Sequence, residues 1–226
     1  MSRRTRNTLR IPEQLRVPHE EPPPSAPLLN SPERLLEAAG EIFAEKGFKG
    51  ATIREIIDRA GVNIAAVNYY FRDKERLYIE TVKQAVCFRP ETRPSWPSAT
   101  PPTVKLHDFI HFLVGRLLDK NKPAWHARLV MREMAQPSEA CTELVRDYIE
   151  PMSEILQGIL RELLPPDTPR WKRLMTGFSI VGQCVHYCSH KPVITLLVGE
   201  KDCKYFEPAT LADHITQFSL NSLTRT

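Results

Sequence analysis

Between Thr52 and Phe71 the chain packs two helix starts and one hard stop into a single short stretch, TIREIIDRAGVNIAAVNYYF. That punctuation leaves room for two short helices meeting at a tight turn and little else. Thr52 is a good N-cap, and Glu55, three residues on, completes a capping box. Ile53, Ile56 and Ile57 then share one helical face, as a core-facing helix requires. Gly61 ends this helix, because glycine takes the left-handed conformation at little steric cost. Asn63 can cap the next helix. Val67, Tyr70 and Phe71, spaced three and four apart, are expected on its buried face. Ala65, Ala66, Asn68 and Tyr69 are then left facing outward. Small residues let a helix lie close to a groove wall, asparagine pairs with adenine, and tyrosine reaches phosphate or stacks on sugar or base. The layout is that of a DNA-reading helix-turn-helix.

The flanking sequence extends the helical pattern. A first helix is predicted from Ser31 as N-cap with Pro32 at the first helical position, where proline is tolerated. Leu35, Ala38, Ala39, Ile42 and Phe43 form its buried stripe, and Gly47 ends it. A further helix from near Lys74 carries Leu77, Tyr78, Val82 and Ala85 and connects the head to the rest of the chain. Residues 90–102 hold five prolines with Ser and Thr, so a linker or irregular loop and a domain boundary are placed there. Beyond it the apolar residues keep a helical period: 106–118, 125–134, 139–164 with a kink or break at Pro151, and 171–190. An apolar segment at 193–198 follows, and a last helix at 209–223 runs through Leu211, Ile215, Phe218 and Leu223. No alternating strand pattern bounded by hairpin turns is present, so no sheet is predicted. The expected fold class is all-α. A helix-turn-helix DNA-binding domain of three helices occupies 31–89, and a helical effector-binding and dimerisation domain occupies 103–226.

Residues 1–30 contain six prolines and arginines at positions 3, 4, 6, 10 and 16. Such a tail cannot bury enough apolar surface to offset its ordering entropy. It is either a basic arm for phosphates or a minor groove, or an extension without fixed structure.

Bulk charge does not carry the DNA reading. The net charge is +4, and residues 31–89 hold ten Lys or Arg against nine Asp or Glu. No run of 18 apolar residues exists, so no membrane span is expected. The arginine-bearing N-terminus lacks the apolar stretch of a secretory signal. Five cysteines without repeated spacing argue against a disulfide framework, and a cytoplasmic location is expected.

Residues 31–89 resemble the N-terminal domain of the tetracycline-repressor (TetR) family. SPERLLEAAGEIFAEKGF at 31–48 is similar to its first helix and glycine turn, Ala51 to Ile56 to its second, and Gly61 to Phe71 followed by Asp73–Leu77 to the recognition helix and the start of the fourth. Ile64 stands where many members carry a polar or basic residue. In the body, RLVMREMAQPS at 128–138, GQCVHY at 182–187 and HITQFS at 214–219 resemble the C-terminal domain of CecR-type regulators. The resemblance implies a homodimer built on the helices around 171–190 and the last helix, a pocket for an unknown small-molecule effector, and a double-stranded, pseudo-palindromic DNA operator. The expected DNA contacts are Thr52, Arg54, Asn63, Ala65, Ala66, Asn68, Tyr69 and Lys74. Asn68 and Tyr69 are placed for direct readout and Thr52 and Lys74 for phosphate, while Arg54 can reach base or phosphate. Trp125, Phe178 and His186 are expected to line the effector pocket. A repressor released by its effector is the expected function, with coupling through the helix that begins at Lys74. A non-transcriptional protein-binding module on the same fold is the second alternative.

A metal or thiol site is the other reading with sequence support. Cys184 and Cys188 lie four apart, as do His186 and His190, but the two pairs point about 160° apart on one helix. Buried small cysteines account for the same pattern, and neither a metal nor a cofactor is expected. No phosphate loop, nucleophile elbow or zincin pattern is present, so no enzymatic activity is expected.

Overall fold

The computed structural model describes residues 32–86 and 93–223. The N-terminal tail, Ser31 as a cap and part of the proline-rich stretch lie outside the described residues. Everything described is helix or connection. The head contains α1 (Pro32–Gly50), α2 (Ile53–Ala60), α3 (Ile64–Phe71) and α4 (Lys74–Val86). The body contains α5 (Pro102–Leu117), α6 (Ala124–Ala135), α7 (Glu139–Leu144), α8 (Glu150–Leu163), α9 (Arg170–Ser189), α10 (Lys191–Val198) and α11 (Pro208–Leu223). No helix among the described residues is long and apolar enough to cross a membrane.

The apolar side chains gather into two cores. The first is the head itself, built on the predicted stripe of α1, on Ile56, Val67 and Phe71, and on Leu77, Tyr78, Val82 and Ala85 of α4. Tyr78 meets the ring of Phe43 edge-on at 4.8 Å. Trp125 and Leu129 of α6 and Ala140 and Leu144 of α7 belong to this same core, so α6 and α7 pack on the head although they follow the proline-rich stretch. The second core joins α5, α8, α9 and α11 through Leu106, Phe109, Ile110, Leu156, Ile180 and Ile215.

Close approach of α1 and α6 depends on Gly40. A Cβ there would sit 2.5 Å from the Trp125 ring, whereas one on Gly47 would meet, at 2.6 Å, only the Arg132 guanidinium, the free end of a flexible side chain. Gly47 also has a φ of 72°, which breaks α1 where a stop is predicted; one more helical turn then runs to Gly50. Trp125 Nε1 donates to Glu37 across this contact at 2.7 Å.

The predicted interruption before Pro151 is a π-helical turn, Val145–Ile149. Proline has no N–H to offer the carbonyl four residues back. That carbonyl belongs to Asp147, and Arg93 donates to it at 3.2 Å. Glu150 N–H reaches back five residues to Val145 instead of four. The same turn is tied to α4, because Lys83 pairs with Glu143 and with Asp147, the latter at 3.3 Å.

Candidate nucleic-acid interface

The helix-turn-helix is held by local chemistry. Thr52 Oγ1 accepts from Glu55 N–H at 3.2 Å, and Thr52 N–H donates to the Glu55 carboxylate at 3.0 Å. Both halves of the capping box are therefore formed. Hydrogen bonds from Lys46 and then Thr52 hold the Glu55 carboxyl down at about 2, so this cap stays ionised at any ordinary pH. Gly61 sits at φ 66°, ψ 38° and returns its N–H to Ile57, which closes α2 in the left-handed C-cap conformation. Asn63 then starts α3, its side chain accepting from Ala66 N–H at 3.1 Å.

On α3 the inner face is Ala66, Val67 and Phe71. Two expectations are corrected here. Ala66 is 6% exposed, so it packs inward, whereas Tyr70 is 40% exposed and lies outside the core. The two positions lie four apart on the same side of α3, about 40° from each other; a methyl is covered there, while the larger phenol ring stays exposed and meets Tyr69 edge-on at 5.0 Å. The outer face of α3 is Ile64, Ala65, Asn68 and Tyr69, all exposed.

The flanking candidates stand at the two ends of this face. Arg54 projects into solvent from the first turn of α2, 4.0 Å from Asp58. The Thr52 hydroxyl donates to Glu55 at 2.9 Å, so its donors are committed to the cap. Lys74 opens α4 with its ammonium 4.6 Å over the Phe48 ring. Between α3 and α4, Arg72 has a φ of 68° and a ψ of −52°. Asp73 N–H donates across it to Phe71 at 2.8 Å, which makes a strained three-residue γ-turn. Arg72 is exposed at the end of α3 and is a candidate that the sequence reading missed. A basic residue directly after Tyr-Tyr-Phe was the available signal.

The three residues expected in an effector pocket are not brought together. Trp125 is 5% exposed and fills the contact with α1, Phe178 is 67% exposed on α9, and His186 lines a shallow groove with Phe218. A cavity of about 460 Å³ does lie between the ends of α4, α5 and α9 and one face of α6, with Val86, Leu117, His126, Met131 and Cys188 among its walls. Burial, aided by Lys122, pulls His126 below its ordinary value.

The cysteines show the opposite of thiolate activation. Cys184 is fully buried and pushed up to about 12 by burial. Burial also raises Cys188, whose thiol donates to the Leu117 carbonyl at 3.1 Å. Among the described residues no group of three His, Cys, Asp or Glu side chains is placed to hold a metal ion.

Comparison with known proteins matches both parts of the chain. Residues 102–223 match the family described as "HTH-type transcriptional dual regulator CecR, C-terminal domain", and residues 35–81 match "Bacterial regulatory proteins, tetR family". CecR of Shigella flexneri is 25% identical over 177 residues, covering 74% of this chain and 79% of CecR. The transcriptional repressor AcnR of Corynebacterium efficiens is 34% identical over 64 residues, covering 28% of this chain. The matched stretch spans 34% of AcnR and 65% of the Bacillus subtilis relative YttP. Two solved structures share the fold. A transcriptional regulator from Rhodococcus sp. Rha1 superposes with a TM-score of 0.57 at 19% identity, covering 86% of this chain and 96% of its own. NalD, the secondary repressor of the MexAB-OprM multidrug efflux pump in Pseudomonas aeruginosa, superposes with a TM-score of 0.55 at 22% identity, covering 85% and 96%. With more than half of its length matching one regulator's C-terminal domain and a tetR-type head in front of it, the chain belongs to the tetR family of bacterial regulatory proteins, in the branch that carries the CecR C-terminal domain.

Proposed function

We propose that this protein is a homodimeric, sequence-specific transcriptional repressor that a small-molecule effector releases from DNA. One observation carries the reading: α3 is capped at its start and closed behind Gly61, while Ile64, Ala65, Asn68 and Tyr69 stand exposed on one face with no role in the core. Asn68 and Tyr69 read bases, and Arg54, Arg72 and Lys74 meet the backbone on either side. Thr52 and Asn63 hold the two helices in register. Relatives described as repressors support the sign of regulation.

Two copies join through α9 and α11. Trp171, Met175 and Phe178 stand in one exposed apolar stripe on α9, and Phe218 of α11 is exposed as well. Their spacing of three and four residues is that of a helix face made for another helix. The cavity behind α6 receives the effector. One face of α6 lines it with Ala127, Val130 and Met131, and the other holds the head through Trp125 and Glu133. A ligand that favours a body conformation with the heads at the wrong spacing lowers DNA affinity by shifting the population.

Footprinting of a bound genomic fragment tests the dimeric arrangement. Two protected half-sites centred about 34–36 Å apart, or a multiple of it, are expected. A single unpaired patch of protection would sink it.

A further inference from the structure

The cavity behind α6 is lined by two chemically different sets of residues. Leu113 and Leu117 of α5 and Val130 and Met131 of α6 supply apolar lining. Arg116, Lys120, Lys122 and Lys191 line the same space together with His126 and one carboxylate, Asp119. Asp119 is engaged with the N–H of Asn121 at 3.0 Å, and Lys122 donates to the Arg116 carbonyl at 3.2 Å.

Lys120 and Lys191 occupy a special position. Both also line an adjoining cavity of about 240 Å³ that Tyr187 and Phe206 flank, so they stand in the partition between the two spaces. Lys120 pairs with Glu207 at 2.9 Å on that second side. Both lysines are exposed, so an arriving anion has only to exchange with Glu207 at Lys120, with no core to unpack. Cations of one sign against an apolar wall focus the field and select for negative charge. A cationic ligand would meet repulsion there, and an uncharged one would gain nothing from the cations.

We propose that this cavity takes an amphiphilic carboxylate, with its apolar body between α5 and α6 and its carboxylate on Lys120 and Lys191. The proposal rests on the reading of this cavity as the effector site and adds the chemical class of the effector. The volume falls within the roughly 300–1,000 Å³ of small-molecule sites, and its lining sets four cations against one carboxylate beside the apolar residues an amphiphile needs.

Calorimetric titration of the full chain with three ten-carbon probes tests it: decanoate, decanol and decyltrimethylammonium. Decanoate is expected to bind about tenfold more tightly than either of the others, the worth of a charge-assisted contact. Lys120→Gln/Lys191→Gln should remove that preference and leave decanol binding unchanged. Met131→Trp, which fills the apolar side, should weaken every probe. Equal binding of decanol, preference for the cation, no decanoate binding, or an unaltered preference in the lysine double variant would each overturn the proposal. Operator release measured alongside separates it from the effector reading. Decanoate that binds in the cavity without releasing DNA supports the ligand class and counts against the effector role. Release by the neutral or cationic probe, abolished in Met131→Trp, keeps the effector role and overturns the ligand class.

Discussion

The hydroxyl of Tyr78 on α4 lies 2.5 Å from the carboxylate of Glu133 on α6 and donates to it. Glu133 is 1% exposed and also accepts from the Ser138 N–H and hydroxyl, each at 2.7 Å. One carboxylate thus satisfies donors from α4 and from the cap of α7. Glu133→Ala would leave the Tyr78 hydroxyl buried and unpaired and strip the half-buried Ser138 of its acceptor, at a cost of about 3 kcal/mol. Urea denaturation should show that loss, with Glu133→Gln, which retains one acceptor oxygen, falling between it and the wild type.

Gly40 has no room for a side chain beside Trp125. Gly40→Ala places a methyl 2.5 Å from the indole ring and should cost about 1–3 kcal/mol by forcing α6 away from α1. Thermal melts of Gly40→Ala with and without Trp125→Leu check the cause. The second change should recover part of the loss if the clash is the reason, and deepen it if the indole is needed whatever stands at position 40.

His126 gives stability a pH dependence of definite sign. Burial lowers its folded value below the ordinary 6.5. The unfolded chain therefore takes up a proton at a higher pH than the folded protein does. The contribution is complete above pH 6.5 and is lost as the pH falls through the lowered folded value. Denaturation midpoints on either side of pH 6.5 should diverge less in His126→Gln than in the wild type; equal slopes in the two proteins would remove His126 from the account.

Asn68 and Lys74 separate readout from positioning. Asn68→Ala should cost about 1–3 kcal/mol in operator affinity and relax preference at one base position. Lys74→Ala should weaken all sequences alike and reduce the salt slope by about one. Fluorescence anisotropy on operator and scrambled duplexes at several salt concentrations reads both. An Asn68→Ala protein with unchanged affinity and preference would mean that the recognition face is misplaced.

The exposed stripe on α9 should control assembly. Phe178→Ser together with Met175→Ser is expected to shift sedimentation from dimer to monomer, while circular dichroism stays helical because both side chains are already exposed in the single chain.

What the chain states locally could be read before the fold was known. The Thr52–Glu55 capping box, the Gly61 stop, the Asn63 cap and the buried stripe of α1 each depend on neighbours within four residues, and each stands where expected. Pro151 announced an irregularity for the same reason, met as a π-helical turn and not as a break. Contacts between distant segments were not legible. Trp125 carries no mark that pairs it with Gly40 and Glu37, so it was assigned to a pocket instead of to the joint between α1 and α6. Phe218 shares the period of Leu211 and Ile215 yet is 59% exposed; period identifies an apolar stripe but not which neighbour covers each edge. The inversion of Ala66 and Tyr70 shows a further limit, because side-chain length decides burial at the edge of a stripe where angle alone does not. The cavity behind α6 draws on five helices, α4, α5, α6, α9 and α10, and no local signal in the chain marks it.

The most direct test of the account is selection of bound fragments from the source genome by the purified full chain at two salt concentrations, run beside an Asn68→Ala/Tyr69→Ala variant. A pseudo-palindromic site is expected for the wild type, with binding that falls steeply with salt, and the variant should lose the site but keep weak general binding. Weak, sequence-blind binding by both proteins would contradict it.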